Sequence, residues 1–457
     1  MVTPNRLSGQ EVRIADLTDR KSERRELDRS ILRLAVPALF TLAVEPLYVL
    51  VDTAIVGHLG TVPLGGLALA TTVLATVLWA FNFLAYGTTP RVAFLMGAGD
   101  ERAAGGVAAQ GLWLCVLLGV PLALLVLLGG HALANALGGH GTILHAATTY
   151  LRISALSTPA VLVALVGQGY LRGLSDTVTP FRVVLVANVL NVVLEVVLVY
   201  GFHLGVAGSA WGTVIAQWLA AMWFIAMCGA RIRAAGAALG PDRAEMVRLA
   251  SAGRHLFVRT AALLAALALA TAVAARVSAA TLAAHQIAYQ VFLFLALTVD
   301  ALAIAGQAMV GTHLGGARHG EARAVAYRLG RLAVMAGAVI GVVLLALSPV
   351  LPHVFTSDPA VVHRATVALA LLAAMQVPGA VAFVLGDGVL LGAGDYRFVK
   401  WSLVAALAVY LPFAGAVLAW HRLGIAGIWV GLIAWMATRA VLSAARIRGD
   451  QWTAGAR

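Results

Sequence analysis

The sequence predicts an all-α membrane protein, with twelve transmembrane helices in two pseudo-symmetric six-helix bundles. Three observations predict it. Charged residues make up 11% of the 457-residue chain and hydrophobic residues 61%, whereas a soluble domain carries about 25% charged residues. Twelve apolar stretches are each long enough to cross a bilayer, which takes roughly 20 residues. Short motifs recur at a constant offset of 219 residues. With so few charges the chain cannot cover a water-facing surface, so its exterior faces lipid.

The predicted spans lie at about 31–57, 64–87, 106–129, 143–170, 178–201, 206–229, 246–275, 281–311, 325–348, 361–390, 396–419 and 424–446. Several exceed the minimum and leave room for tilt. Residues 1–30 are polar and rich in Arg. No short apolar core with a small-residue cleavage site follows them, which predicts a cytoplasmic tail leading into a retained first helix. The spans divide into an N-lobe over 31–229 and a C-lobe over 246–446. A cytoplasmic linker over 230–245 joins the lobes, and a C-terminal tail covers 447–457.

Basic residues set the orientation. With the N-terminus inside, 28 of the 32 Lys and Arg residues fall in the tails, in the even-numbered loops or at adjoining helix ends. Arg152, Arg276, Arg364 and Arg422 are the exceptions. Both termini are therefore expected in the cytoplasm of a multi-pass plasma (inner) membrane protein. The net charge of +12 is then a cytoplasmic face beside anionic lipid. It is not a nucleic-acid surface, because the basic residues flank apolar spans and form no basic domain. Cys115 and Cys228 each lie inside an apolar stretch, without metal-ligand spacing. They are read as small core residues.

The repeat carries the architecture. Gly169-Tyr-Leu-Arg-Gly173-Leu-Ser-Asp176 resembles Gly388-Val-Leu-Leu-Gly392-Ala-Gly-Asp395, and Gly205-Val-Ala-Gly208 resembles Gly424-Ile-Ala-Gly427, both at the offset of 219. Gly97-Ala98 pairs with Gly316-Ala317, and Pro159 with Pro378, at the same offset. Each half holds an even number of helices, so the halves share one orientation. They are related by an axis along the membrane normal, with a cavity between them.

Ionisable side chains inside hydrocarbon cost roughly 2.5–3.5 kcal/mol each on insertion scales and call for a function. Five acids lie within spans: Glu45 and Asp52 on helix 1, Glu195 on helix 5, Asp300 on helix 8 and Asp387 on helix 10. Helix rise gives their depth. Asp52 sits about five residues, or ~8 Å, below the outer end of helix 1. Glu195 lies at a similar depth on helix 5. Asn191 is one turn below Glu195 on the same face, and Thr213 is about seven residues into helix 6. Asp52, Asn191, Glu195 and Thr213 therefore share one outer layer of the N-lobe. Two carboxylates, an amide and a hydroxyl suit a hard cation such as Na+, or a proton. Glu45 is on roughly the same stripe of helix 1, nearer the midplane, and precedes Pro46, which bends the helix. Asp300 and Asp387 are expected to form a second, inner-side site, a gate that pairs with Arg, or a structural polar contact.

Weaker candidates complete the set. Gln168 lies inside helix 4. His285, with Gln286 and Tyr289, clusters near the outer end of helix 8 and has a side chain suited to proton traffic. Trp79, Phe81, Trp211 and Trp218 are candidates to line an apolar substrate cavity. The sequence has no GxxxxGK[ST] loop, nucleophile elbow or zinc motif. Direct ATP chemistry and membrane hydrolysis are thus excluded as expectations, leaving a transporter rather than an enzyme.

These motifs resemble the MATE (multidrug and toxic compound extrusion) family, within the wider multidrug/oligosaccharidyl-lipid/polysaccharide flippase group. The stretch from Glu45 through Asp52 to Gly60 is similar to the DinF-like branch, as are Gly169–Asp176, Asn191–Glu195, Gly205–Thr213 and Thr298–Asp300. The resemblance implies a V of two six-helix bundles. It implies export of amphipathic or cationic organic compounds in exchange for H+ or Na+, with no other cofactor, by a single chain acting as a monomer. It makes Asp52 the main coupling residue, surrounded by Gln168, Asn191, Glu195 and Thr213, with Pro37 and Pro46 as hinges of helix 1. Glu195 stands where the family usually has Asp, and helix 7 has no acid in its core. H+ coupling through Asp52 is therefore favoured over Na+ coupling. A dedicated metabolite exporter or a lipid-linked precursor flippase on the same scaffold is the alternative; few Arg appear mid-span, which weighs against a flippase.

Overall fold

A computed structural model describes residues 7–454, apart from the side chains of residues 7–21, 23, 79, 80, 252 and 454. Among the described residues, twelve helices are long and apolar enough to cross a membrane. The first half comprises α1 (Leu7–Gly57), α2 (Thr61–Gly97), α3 (Glu101–Ala136), α4 (Gly141–Gly173), α5 (Val178–Gly201) and α6 (Gly205–Ala234). The second half comprises α7 (Arg243–Val277), α8 (Ala279–Gly315), α9 (His319–Leu347), α10 (Pro359–Leu390), α11 (Tyr396–Ala419) and α12 (Gly424–Arg448).

Local chemistry explains where the helices start. Asp100, Asp242 and Asp358 each accept from backbone N–H groups of the turn they open, and Ser278 does the same for α8. Each cap satisfies a donor that the helix itself cannot. Among the described residues four helices change pitch. Residues 80–82 of α2 and 155–157 of α4 are 3₁₀ turns, and Val197–Gly201 of α5 and Ala382–Leu390 of α10 are π-helical. Helix α1 continues without a break through Pro37 and Pro46.

The two ends of the bundle differ. Asp28 on α1 forms a two-pronged pair with Arg328 on α9 at 2.5 and 2.6 Å, Arg446 of α12 bonds Asp395 at 2.8 Å, and Arg323 pairs with Asp450. These contacts gather Asp28 of α1, the end of α12 and the residues after it at one end of the bundle, here the terminal side. The halves also meet on that side. A Cβ on Gly97 would lie 1.9 Å from the Thr312 carbonyl oxygen, and one on Gly315 would lie 1.8 Å from that of Phe94. Two bare glycines thus let α2 and α8 cross backbone to backbone. Gly97 and Gly316 are repeat mates, so this crossing lies near the pseudo-twofold axis. Ile31, Leu34 and Ala35 of α1 pack into the second half's core, and Ala38 packs on Ala301 and Ile304. Towards the opposite side the core clusters separate. One holds Val56, Leu67 and Tyr150 of the first half, and another holds Ala270, Tyr410 and Trp429 of the second. The halves therefore form a V, joined on the terminal side and parted on the other.

Several boundaries depart from expectation. The predicted tail is helical from Leu7 as part of α1. Helix α2 runs ten residues past the predicted end at 87, to the crossing at Gly97. The linker is shorter than 230–245, because α6 continues to Ala234 and α7 begins at Arg243. It is tied to α3, with Gln110 donating to the Gly240 carbonyl and Trp113 to that of Leu239. The predicted C-terminal tail packs back, with Trp452 fully buried and bonded to the Ile447 carbonyl.

Candidate functional site: two buried polar layers

The first layer lies in the parted region of the first half. Asp52 is 3% exposed and accepts a hydrogen bond from the Ser209 hydroxyl at 2.8 Å. One turn along α6 from Ser209, Thr213 accepts from Asn191 Nδ2 at 3.2 Å and bonds the Tyr48 hydroxyl at 3.0 Å. Glu195 is fully buried, and Tyr150 and Glu195 both lie in electrostatic range of Asp52. Gly212 lets α5 and α6 close on this layer, since a Cβ there would lie 3.2 Å from the Glu195 backbone nitrogen.

This layer has unused oxygen acceptors. Both carboxyl oxygens of Glu195 and Oδ1 of Asn191 are buried without a hydrogen-bond partner. Leaving such atoms unpaired costs about 1–3 kcal/mol each, more where charged. Together with Asp52 they gather carboxyl and amide oxygens at one depth, the ligand type that hard cations take. Among the described residues no group of three or more His, Cys, Asp or Glu is placed to hold a metal ion.

The second layer lies where the halves join. Asp387, fully buried on the π-helical part of α10, takes Arg259 of α7 at 3.1 and 2.5 Å and Arg439 of α12 at 3.1 Å. The π-turn widens the helix locally, as it often does at functional positions. Gln307 of α8 donates to the Asp387 carbonyl at 2.7 Å. Asp300 of α8 accepts from the Tyr86 hydroxyl of α2 at 3.3 Å, and the Arg259 guanidinium stands 5.3 Å from the centre of the Tyr86 ring. Arg172 of α4 is in electrostatic range of Asp300 and Tyr86. Tyr86 and Arg172 belong to the first half, and Asp300, Arg259, Asp387 and Arg439 to the second. The layer therefore bridges the halves through polar groups.

Asp52, Asn191, Glu195 and Thr213 come together as the depth arithmetic predicts. Gln168 does not join them. It accepts from Arg172 at 2.9 Å, one turn further towards the terminal side. The repeat register explains this, because Gln168 is the mate of Asp387 and shares its depth. Asp387 pairs with arginine, one of the alternatives open from sequence. Glu45 is exposed on the stretch of α1 between Ala38, which packs on the second half, and Tyr48, which bonds the first. His285 is buried and bonded through Nε2 to Thr271 Oγ1 at 3.2 Å, apart from both layers. Trp211 and Trp218 are exposed on α6, and Phe81 is half-buried; the Trp79 side chain lies outside the described residues.

One sequence expectation is overturned. Arg172, Arg259 and Arg439 were assigned to the basic cytoplasmic belt, with few Arg mid-span. Arg259 and Arg439 are 6% and 1% exposed and point into the bundle. Arg259 stands near the middle of α7, and the buried carboxylate of Asp387 holds both arginine stems inside the bundle. Sequence reading also missed Ser209, Tyr48 and Tyr86. Tyr48 carried a usable signal at i−4 from Asp52, and Ser209 carried the same spacing to Thr213.

The MatE family model matches residues 37–197 and again 256–415, one copy in each half. The chain is 31% identical over 434 residues to the Arabidopsis thaliana protein DETOXIFICATION 44, chloroplastic, covering 92% of this chain and 82% of that one. It is 30% identical over 434 residues to the Escherichia coli DNA damage-inducible protein F, covering 94% and 93%. Its fold is similar to that of a Vibrio cholerae MATE transporter in the bent form, with TM-score 0.86 at 18% identity over 95% of this chain and 99% of that one. It is also similar to an outward-facing multidrug resistance MATE family transporter, with TM-score 0.83 at 20% identity over 92% and 96%.

Proposed function

The chain belongs to the MatE family of membrane transporters, and from that premise we propose that it is a secondary active antiporter. It exports amphipathic or cationic organic compounds, drugs or metabolites, in exchange for H+ taken up at Asp52. The observation that carries this reading is the placement of Asp52 in electrostatic range of a fully buried Glu195, both of whose carboxyl oxygens accept no protein hydrogen bond. Two carboxylates in one low-dielectric pocket repel each other, and a cation or proton between them relieves that repulsion.

The V supplies the second half of the cycle. Parted on the side away from the termini, it opens towards that side next to the buried Asp52 layer. Proton entry weakens the hold of Asp52 on Ser209, and α1 bends at Pro37 or Pro46, where the backbone ladder lacks a donor. The first-half cavity narrows and releases substrate. The halves then rock about the layer of Asp300, Tyr86, Arg259 and Asp387, which serves as the inter-half gate. In this reading the termini face the cytoplasm of a plasma membrane and the chain works as a monomer.

Na+ in place of H+ is the second reading. The unpartnered oxygens of Asn191 and Glu195 favour it, because hard cations take oxygen ligands. The buried arginines of the second layer also support a dedicated exporter of anionic metabolites, or a lipid-linked precursor flippase, on the same scaffold. Reconstituted vesicles with separate H+ and Na+ gradients, challenged with a panel of cationic and anionic compounds, decide among these. Substrate export that follows neither gradient, or that Asp52→Asn leaves intact, removes the coupling assignment.

A further inference from the structure

A cavity of about 470 Å³ lies on the terminal side, outside both polar layers. Its walls come from both halves. Arg91 and Phe94 enter from α2 of the first half. Arg248 and His255 enter from α7, and Tyr396 from the start of α11, in the second. Glu245 also lines it and pairs with Arg248 at 3.1 Å. Arg254, Arg397 and Lys400 lie in electrostatic range of His255, and Arg91 in range of Tyr396. Gly392 and Gly394 bring main chain without side chains to the wall.

The chemistry is one-sided. The single acid of the lining, Glu245, is paired with Arg248, and Arg91 and the His255 imidazole face the same space, with Arg254, Arg397 and Lys400 in range. Guanidinium groups match the geometry of phosphate oxygens and bind them through paired hydrogen bonds. The volume falls within the usual range for small-ligand sites. Basic pockets between transmembrane helices on the side bearing the positive charge are suited to phosphate head groups.

We propose that this inter-half cavity binds a phosphate monoester or diester anion, held by Arg91 from one half and by His255 and Arg248 from the other. Because the ligand bridges the two halves, it binds the conformation in which they are joined on the terminal side and stabilises that conformation by its differential affinity. Binding itself does not depend on the antiport reading. The ligand is either a lipid head group or a soluble phosphate compound.

The test uses the full chain in nanodiscs, with thermal unfolding as the readout. One arm compares phosphatidylcholine discs with and without phosphatidylglycerol. The other titrates glycerol 3-phosphate into phosphatidylcholine discs, against potassium chloride at matched ionic strength. A raised midpoint in the first arm assigns the site to lipid, and one in the second assigns it to a soluble phosphate. Arg91→Gln and His255→Gln, one from each half, are each expected to weaken the response about tenfold, the loss of one charge-assisted hydrogen bond. Arg91→Lys, which keeps the charge, is expected to retain most of it and controls for folding. No response in either arm, a chloride response of equal size, or equal responses in wild type and both glutamine variants overturns the proposal.

Discussion

The Ser209 hydroxyl of α6 donates to Asp52 of α1 at 2.8 Å, a buried bond across two helices of the first half. Hydrogen bonds to charged groups contribute about 1.5–3 kcal/mol, so this one fixes both the carboxylate and the far end of α1. Ser209→Ala is expected to lower the initial rate of ion-driven export about tenfold, with Ser209→Thr close to wild type. Vesicle transport under an imposed gradient reads the difference. Equal rates in the two variants would show that the bond does not serve coupling.

Tyr86 and Asp300 link the halves through a single hydroxyl. Tyr86→Phe removes that link and keeps the ring that Arg259 covers. A neutral donor contributes about 0.5–1.5 kcal/mol net, a shift of roughly two- to tenfold in the balance between joined and parted states. Spin labels on the terminal-side ends of α2 and α8 should show a larger population at long distance in the variant.

Asp387 neutralises two buried arginines. Asp387→Asn leaves Arg259 and Arg439 without their carboxylate, and breaking a buried pair in this way costs about 3–5 kcal/mol. The expected outcome is a clear drop in the unfolding midpoint of the detergent-solubilised protein. Arg439→Met, which keeps the Arg259 pair, should cost less; an equal loss in both would argue against a charge origin.

Gly97 has no room for a methyl group. Gly97→Ala places a carbon 1.9 Å from the Thr312 carbonyl oxygen, so the halves cannot join as they do here. Labels on α2 and α8 should report a parted terminal side, or the protein should lose yield and thermal stability. Gly129→Ala is the control. Nothing lies within 4 Å of a Cβ there, and alanine is the better helix former by about 1 kcal/mol. That variant should match or exceed wild type in stability.

Much of this protein is determined along the chain. Apolar run length sets the twelve spans, because a helix must satisfy its own backbone to cross lipid. The 219-residue register sets the two halves. Helix rise and the i to i+4 spacing bring Asp52, Asn191, Glu195 and Thr213 to one depth, since depth along a straight helix is a one-dimensional quantity. What depends on azimuth and on neighbouring helices came only with the tertiary structure. Gln168 shares the depth of its repeat mate Asp387, as the register implies, but only the packed structure turned it to Arg172 instead of to the Asp52 layer. Arg259 and Arg439 left the basic belt because a buried carboxylate on a π-turn met their stems. The joining of the halves at Gly97 and Gly315 rests on two side chains that are absent, and a missing Cβ matters only where another backbone approaches it. Sequence position specifies how deep a group sits; packing decides which way it turns and which group it meets.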